Sequence, residues 1–318
     1  MLGVDSGGSG VRVAISRADG SGGPGPVRDD RPVPTGEHGI DAAGLLDRVL
    51  PLAAGLLREV AAGSLAAACV GAAGMATLGD DLRARLPAAV EDAFGVRALA
   101  LAGDAVTAYA GALGLRPGVV VAAGTGLIAL GTSGDGWRRA DGWGHLLGDA
   151  GGGAWIGRAG LDAAMRAYDG RAGGSAALLA CAQARFGPAG SMPSVLYPRT
   201  DRPAVLASFA PDVAQCAAQD PVASEILRQA ARHILESAAA ARPQPPGEVE
   251  VGLAGGLFKM GEPLLGPLRD QAQWLLPDAV LVPAAGDPLD GALRIARALH
   301  QDELTLPVDG AMLHAVRR

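Results

Sequence analysis

Apolar residues fall along this chain in short runs broken by glycine-rich turns, alternating with longer stretches in which they recur every three or four positions. Residues 2–4 and 11–15 are two such runs. They flank Asp5-Ser6-Gly7-Gly8-Ser9-Gly10, the pattern of a β-hairpin with a glycine-rich tip. Residues 20–34 are rich in Gly and Pro, with an edge strand expected through 27–33. Leu45, Leu46, Val49, Leu50, Leu56, Leu57 and Val60 recur at helical spacing, so a helix is predicted to cross back over the sheet within 41–60. Residues 65–70 read as a short buried strand and 82–94 as a helix. A further strand at 98–101 ends at Gly103-Asp104. Strands separated by helices predict a sheet with helical crossovers.

The pattern then restarts. Residues 119–123 and 127–130 are apolar strands around the small-residue turn Gly124-Thr125-Gly126. Helices are expected over 155–168, 224–241 and 261–275, and strands over 249–253 and 280–282. Residues 188–211 have weak periodicity and read as an irregular excursion. A last helix starts at Asp287, a candidate N-cap followed by Pro288. The organisation expected is a first lobe over 1–111, a second lobe with helical insertions over 112–286, a closing helix at 287–300 packed back on the first lobe, and a tail over 301–318.

Composition narrows the class. Hydrophobic residues make up 49% and charged ones 19%, which suits a globular chain. The net charge of −6 and the 3% aromatic content give no basic stripe and few stacking platforms, so nucleic acid is not an expected partner. No stretch has the length of a membrane span, and Met1-Leu2-Gly3-Val4-Asp5 lacks the basic and apolar regions of an export signal. Cys69, Cys181 and Cys216 are far apart in sequence, as befits free thiols. A cytoplasmic protein is expected.

The glycine turns carry the candidate chemistry. Backbone amides in a tight Gly/Ser turn converge on anionic oxygens, and glycine lets phosphate approach closely. One such turn is also what any hairpin uses; two on equivalent strand pairs, the first with Asp5 at the strand end, point more firmly to phosphate. The rival motifs fail. A Walker loop needs a lysine after its glycines, and the only lysine is Lys259. Gly124-Thr125-Gly126-Leu127-Ile128-Ala129 matches a dinucleotide fingerprint, but the apolar run that follows is a strand pattern and not a helix. Neither a G-x-S-x-G elbow nor H-E-x-x-H is present.

Gly3-Val4-Asp5-Ser6-Gly7-Gly8-Ser9-Gly10 resembles the first phosphate loop of the actin-like ATPases. Ala123-Gly124-Thr125-Gly126, with Gly142-Trp143-Gly144-His145-Leu146-Leu147-Gly148-Asp149, resembles the N-acetylglucosamine kinase branch of the BadF/BadG family. Ala254-Gly255-Gly256-Leu257-Phe258 is similar to that family's adenosine motif and Asp290-Gly291-Ala292 to its closing helix. The resemblance implies two actin-like, ribonuclease H-like lobes, each a mixed five-stranded sheet with helices on both faces and an ATP cleft between them. It implies ATP and Mg²⁺ as cofactors and a small-molecule sugar as partner, and it is compatible with a homodimer.

Roles follow from the same resemblance. Asp104 would be the catalytic base that accepts the proton of a sugar 6-hydroxyl, and Asp5 would orient Mg²⁺ through water. Ser6, Gly7, Gly8, Ser9, Gly10, Arg12, Gly124, Thr125 and Gly126 would contact phosphate, and Gly255, Gly256 and Leu257 the adenosine. The sugar would meet Glu37, His38, Asp104, Thr125, Gly126, Trp143, Gly144, His145, Gly148 and Asp149. Plainer readings stand beside these: Asp104 as a helix N-cap, Trp143 as core, Asp149 as a turn former, His145 as a structural hydrogen-bonding group, and Arg138 with Arg139 as a solvated pair. Ala150-Gly151-Gly152 after Asp149, Leu127 and Gly10 depart from the family pattern, and Glu37 would favour a free ammonium over an acetamide at the sugar's C2. An ATPase activator holding an iron–sulfur cluster and a silent sugar sensor are the rival classes; the scattered, alanine-flanked cysteines argue against the first.

Overall fold

A computed structural model describes residues 1–7, 10–19, 21–31, 33, 35–36, 39–244 and 247–317. The strands are β1 (Leu2–Gly7), β2 (Gly10–Ile15), β3 (Val27–Asp29), β4 (Thr35–Gly36), β5 (Gly39–Ile40), β6 (Ala67–Ala72), β7 (Ala98–Gly103), β8 (Gly118–Ala123), β9 (Leu127–Thr132), β10 (Arg138–Asp141), β11 (Val249–Ala254), β12 (Ala279–Pro283) and β13 (Leu313–Arg317). The helices are α1 (Ala42–Glu59), α2 (Met75–Leu78), α3 (Asp80–Phe94), α4 (Asp104–Leu113), α5 (Gly153–Asp169), α6 (Ala176–Phe186), α7 (Met192–Leu196), α8 (Arg202–Ser208), α9 (Ala210–Cys216), α10 (Pro221–Ala240), α11 (Glu262–Leu275) and α12 (Pro288–Gln301). They form two compact units. One joins Met1–Val120, Thr132–Trp137 and Pro283–Arg318; the other joins Val121–Gly131 and Arg138–Val282.

In the first unit the sheet order is β13-β7-β6-β1-β2-β3. β1, β6 and β7 are parallel, and every residue of β6 is buried, as a central parallel strand covered on both faces requires. The pleat sorts side chains by size. Leu2, Val4, Ala68, Val70, Leu99 and Leu101 join one apolar cluster with Leu45 and Val49 of α1 and Leu82 and Leu86 of α3. Gly3, Cys69, Gly71, Ala100 and Ala102 occupy the alternate positions and leave the opposite face shallow. There α4 and α12 lie close: a Cβ on Gly3 would sit 2.8 Å from Leu293 Cγ, and one on Gly71 2.7 Å from Thr107 Cγ2. Small residues at these positions are therefore a packing requirement.

The sheet has one strand beyond the five expected. Residues expected to be a tail include β13, which pairs antiparallel with β7, Leu313 opposite Ala102, and buries Leu313. The edge strand expected over 27–33 is confined to Val27–Asp29.

In the second unit the sheet order is β10-β9-β8-β11-β12. α5 packs against α6, α8, α9 and α10, and α10 against α11. The stretch expected to be irregular contains α7 and α8, and α6 and α9 escape the periodicity reading. Their sequences are rich in alanine, which forms helix well but writes a faint apolar stripe. Ser175 and Asp220 hold this helical region together. Ser175 Oγ accepts the Leu178 amide at the start of α6, and Asp220 accepts the Val222 and Ala223 amides at the start of α10. Ser175 Oγ also donates to Asp220 at 2.6 Å.

Candidate active site

The parallel strands of the first unit end together, and two carboxylates stand at their carboxyl ends. The register sets Asp5 opposite Gly71 and Gly103 opposite Ala72, so Asp5 and Asp104 leave the same sheet edge. They are separated by two strand spacings, about 10 Å. Ligands of open α/β sheets bind at the carboxyl ends of parallel strands.

Asp104 is exposed at the first position of α4, after Gly103 at the N-cap. The plainer N-cap role thus falls to a residue without a side chain. Asp104 Oδ1 accepts the Ala105 amide at 2.9 Å, and its carbonyl accepts Thr107 Oγ1 at 2.9 Å. The carboxylate thus stands at the positive end of the α4 dipole.

Asp5 faces Arg12 across the β1–β2 ladder. Arg12 donates from Nε and Nη2 to Asp5 Oδ2 at 3.0 and 2.7 Å, and from Nη1 to Asp287 Oδ2 at 2.5 Å. Asp5 Oδ1 has no hydrogen-bond partner among the described residues. Asp287 caps α12: its Oδ1 accepts the Leu289 and Asp290 amides at 2.8 and 3.1 Å, and Asp290 reciprocates by accepting the Asp287 amide at 2.9 Å. Burial pushes the Asp287 carboxyl up; the bonds from Arg12 and the two amides outweigh it and hold the group below its ordinary value. Burial likewise lowers the Arg12 pKa, and its two carboxylate partners raise it by more. Asp287 was read from sequence only as a cap. Nothing local links it to Arg12, 275 residues away.

The second unit gathers a different set. The turn Gly124-Thr125-Gly126 is tied to the start of α5, because the Gly153 and Ala154 amides donate to the Gly124 and Thr125 carbonyls at 2.9 and 2.8 Å. Thr125 is exposed. Asp149 takes a left-handed backbone, φ 56°, and its Oδ1 accepts the Gly144 amide at 3.1 Å. Its carboxylate lies over Gly126, where a Cβ would come within 2.3 Å of Oδ2. Burial, with the Asp141 charge adding, holds the Asp149 carboxyl above its ordinary value although the Gly144 and Leu127 amides pull the other way. Asp141, not singled out in the sequence, braces the loop: Oδ1 accepts the Asp149 amide at 2.6 Å and Oδ2 the Ala150 amide at 2.9 Å. Gly148 is the residue that fits beside it, since a Cβ there would meet Asp141 Oδ1 at 2.2 Å.

Arg139 is not a solvated loop residue. It lies on β10, bonds the Asp141 and Gly142 carbonyls, and stacks its guanidinium 4.3 Å from the Trp143 ring. Trp143 is 63% exposed, which removes the core reading. His145 is half-buried and Gly144 exposed on the same loop.

Several expected glycines have a reason other than a ligand. Gly10 has φ 115°, and a Cβ there would strike the Asp29 carbonyl of β3 at 2.2 Å; Gly255 has φ 105° and would strike the Ala123 carbonyl of β8 at 2.2 Å. Gly7, Gly124 and Gly256 face open space. Ser6 and Leu257 are buried. Gly8, Ser9, Glu37 and His38 lie outside the described residues.

The site suits a metal that arrives with its ligands. Among the described residues no group of three or more His, Cys, Asp or Glu side chains could hold a metal ion. Mg²⁺ keeps several waters and takes one or two carboxylates beside substrate phosphates, and Asp5 Oδ1 has no partner among the described residues. Among the described residues no helix is long and apolar enough to cross a membrane.

Comparison with known proteins identifies the family and the fold. Residues 2–273 match the BadF/BadG/BcrA/BcrD ATPase family. A curated relative, the N-acetylmuramic acid/N-acetylglucosamine kinase of Clostridium acetobutylicum, is 42% identical over 69 residues, which is 21% of this chain and 22% of the relative's length. A crystal structure from Chromobacterium violaceum assigned as an N-acetylglucosamine kinase shares 26% identity with a TM-score of 0.71, covering 94% of this chain and 98% of that one. A ROK family glucokinase from Streptomyces griseus, solved with glucose and AMPPNP, shares 19% identity with a TM-score of 0.57 over 93% of this chain and 99% of its own, and shows the fold alone. The two mixed sheets are those of the actin-like fold.

Proposed function

The chain belongs to the BadF/BadG/BcrA/BcrD ATPase family, and from that premise we propose that it is a kinase transferring the terminal phosphate of ATP to a sugar hydroxyl. One observation carries the reading: Asp5 and Asp104 stand together at the carboxyl ends of parallel strands, one paired with Arg12 and the other exposed at a helix start. Phosphoryl transfer needs little from the protein beyond positioning and charge. Asp104, at the N-terminal end of α4, accepts the hydroxyl proton. Arg12 supplies fixed positive charge beside Asp5. Mg²⁺, when bound with the nucleotide, neutralises phosphate charge, and Asp5 Oδ1 is the oxygen that would orient it through water. In the second unit the turn Gly124-Thr125-Gly126 leaves Thr125 exposed.

The acceptor is an amino sugar phosphorylated at its 6-hydroxyl, N-acetylglucosamine ahead of glucosamine. Support comes from the Trp143–Asp149 loop and from the names of the relatives. Arg139 fixes Trp143 as an exposed flat surface suited to a sugar ring, and Asp149 beside Gly126 offers an acceptor to hydroxyls. The activator reading has less behind it. Cys69 is buried, its thiol pushed far up by desolvation, and Cys181 and Cys216 lie against each other at 3.8 Å within one unit.

Purified protein with ATP and Mg²⁺ is expected to release ADP only when sugar is added, across a panel of N-acetylglucosamine, glucosamine, N-acetylmuramate and glucose. Phosphorus-coupled NMR of the product is expected to place the phosphate on O6. No sugar-dependent ADP release with any member of the panel would sink the proposal.

A further inference from the structure

Asp287 divides its carboxylate between two tasks. Oδ1 caps α12, and Oδ2 accepts Arg12 Nη1, whose other two nitrogens hold Asp5 Oδ2. A guanidinium is planar and rigid, so fixing Nη1 fixes the direction of Nε and Nη2. Asp287 cannot swing to follow Arg12. Its cap bonds hold one oxygen, and its carbonyl is packed against Gly111 of α4, where a Cβ would come within 2.1 Å. α4 is the helix that begins with Asp104. One helix crossing therefore sets the place of Asp104 and, through Asp287 and Arg12, that of Asp5. Charge adds a second argument. Paired with Asp5 alone, Arg12 would neutralise it; shared with Asp287, it leaves the three groups with a net negative charge and Asp5 Oδ1 without a partner among the described residues.

We propose that Asp287 is a positioning residue of the nucleotide site, holding Arg12 so that Asp5 presents one oxygen to a metal-bearing nucleotide at a fixed distance from Asp104. The proposal rests on the kinase reading, with Asp5 directed at Mg²⁺.

Asp287→Ser and Asp287→Asn separate this role from the cap, because both keep an oxygen that caps α12 and both remove the charge facing Arg12. The ion pair they remove is partly exposed, with side chains 35% and 49% accessible, so little stability is lost with it. Both variants are expected to melt within about 2 °C of wild type. By calorimetry without sugar, the Mg²⁺ concentration that half-saturates the metal-dependent tightening of ATP binding is expected to rise about 10-fold. kcat falls about 10-fold or more while the sugar KM holds. Asp290→Ala removes the reciprocal half of the cap and leaves the Arg12 link. It is expected to lower Tm by roughly 2–4 °C with Mg²⁺ dependence and kcat unchanged. Wild-type Mg²⁺ dependence and kcat in both Asp287 variants would overturn the proposal, as would an equal loss in Asp290→Ala. A wild-type protein that binds ATP but phosphorylates no sugar would sink the sugar-kinase reading alone, since the metal-dependent binding still decides this one. One that binds no ATP would sink both.

Discussion

Replacing Gly111 by alanine sets a methyl group where α4 crosses the start of α12. The new carbon would lie 2.1 Å from the Asp287 carbonyl oxygen and 2.7 Å from its carbon. Non-bonded carbon contacts settle at roughly 3.5–4.0 Å, so the start of α12 has to retreat by more than about 1 Å. The obstacle is backbone in a capped helix and cannot rotate away. Overpacking of this kind costs about 1–3 kcal/mol, and alanine's better helix propensity returns up to about 1 kcal/mol. With backbone as the obstacle the upper end applies, leaving a net loss of about 2 kcal/mol, or a Tm lower by roughly 4–8 °C. Gly55 inside α1 is the control: beyond the helix's own backbone, the nearest atom would be the flexible Arg58 Nη2 of the same helix at 3.9 Å. Gly55→Ala is expected to stabilise by about 0.5–1 kcal/mol. Urea unfolding with fitted m-values, run beside thermal melts, measures both. Gly291→Ala, whose Cβ would lie 1.9 Å from the Thr107 carbonyl, tests the same crossing from the other helix. The double variant should lose less than the sum, because the first substitution has already opened the gap. Equal or greater stability in Gly111→Ala, or a shift matching that of Gly55→Ala, would refute the reasoning.

Asp104→Asn is expected to abolish sugar-dependent ADP release while ATP affinity stays within about twofold, measured by calorimetry; retained turnover removes Asp104 from its role. Asp220→Ala uncaps α10 and strands Ser175, at a cost of about 2 kcal/mol near neutral pH in urea unfolding. Burial raises the Asp220 carboxyl, but the Ser175 hydroxyl and the Val222 and Ala223 amides outweigh it and hold it below its ordinary value of 3.8. Its contribution is therefore complete above 3.8 and fades as pH falls through the lower folded-state value, so the gap between variant and wild type is expected to close in strong acid. Cys181 and Cys216 face each other at 3.8 Å, and a disulfide needs about 2.05 Å. Burial, with the neighbouring thiol and carboxylates, pushes Cys216 up to about 11. Hydrogen peroxide, reduced to water as the two thiols are oxidised, is expected to close this disulfide markedly faster at pH 9 than at pH 7. Peptide mapping reads the link, and equal rates at the two pH values refute it.

Much of the fold was legible because its strands are short apolar runs and its longer helices carry clear stripes. β6 and β7 read as strands from composition alone, and the α1 stripe through Leu45, Val49 and Leu56 is the one the core uses. α6 and α9 were not legible. Alanine at Ala176, Ala177, Ala180, Ala182 and Ala184 blurs the contrast between faces that periodicity depends on. Glycine was ambiguous for a different reason. Gly10 and Gly255 read as ligand-facing because they sit in turns, yet each makes room for a neighbouring strand's carbonyl. Gly7, Gly124 and Gly256 look the same in sequence and face open space. A missing side chain says that something comes close, and only the three-dimensional neighbour says whether it is chain or solvent.

The same limit explains why Asp287 was half read. An aspartate before Pro288 announces a cap through a local code, four residues long, and the capping box is there. Its second oxygen answers to Arg12, and no local code spans 275 residues. What brings the two together is the face of small residues on β1 and β6, with Gly3, Gly71, Gly111 and Gly291 at its contacts. Each removes a methyl group that would hold α4 or α12 off the sheet or off each other. The glycines that matter most to the carboxylate pair are thus the helix- and strand-interior ones, where glycine is locally unfavourable. A chain that accepts that cost at four positions around one crossing needs the crossing close. The Arg12 bridge, reaching Asp287 at 2.5 Å and Asp5 at 2.7 Å, gives the reason: retreat of α12 by 1 Å or so, as Gly111→Ala demands, takes Asp287 out of hydrogen-bond range of an Arg12 still held by Asp5.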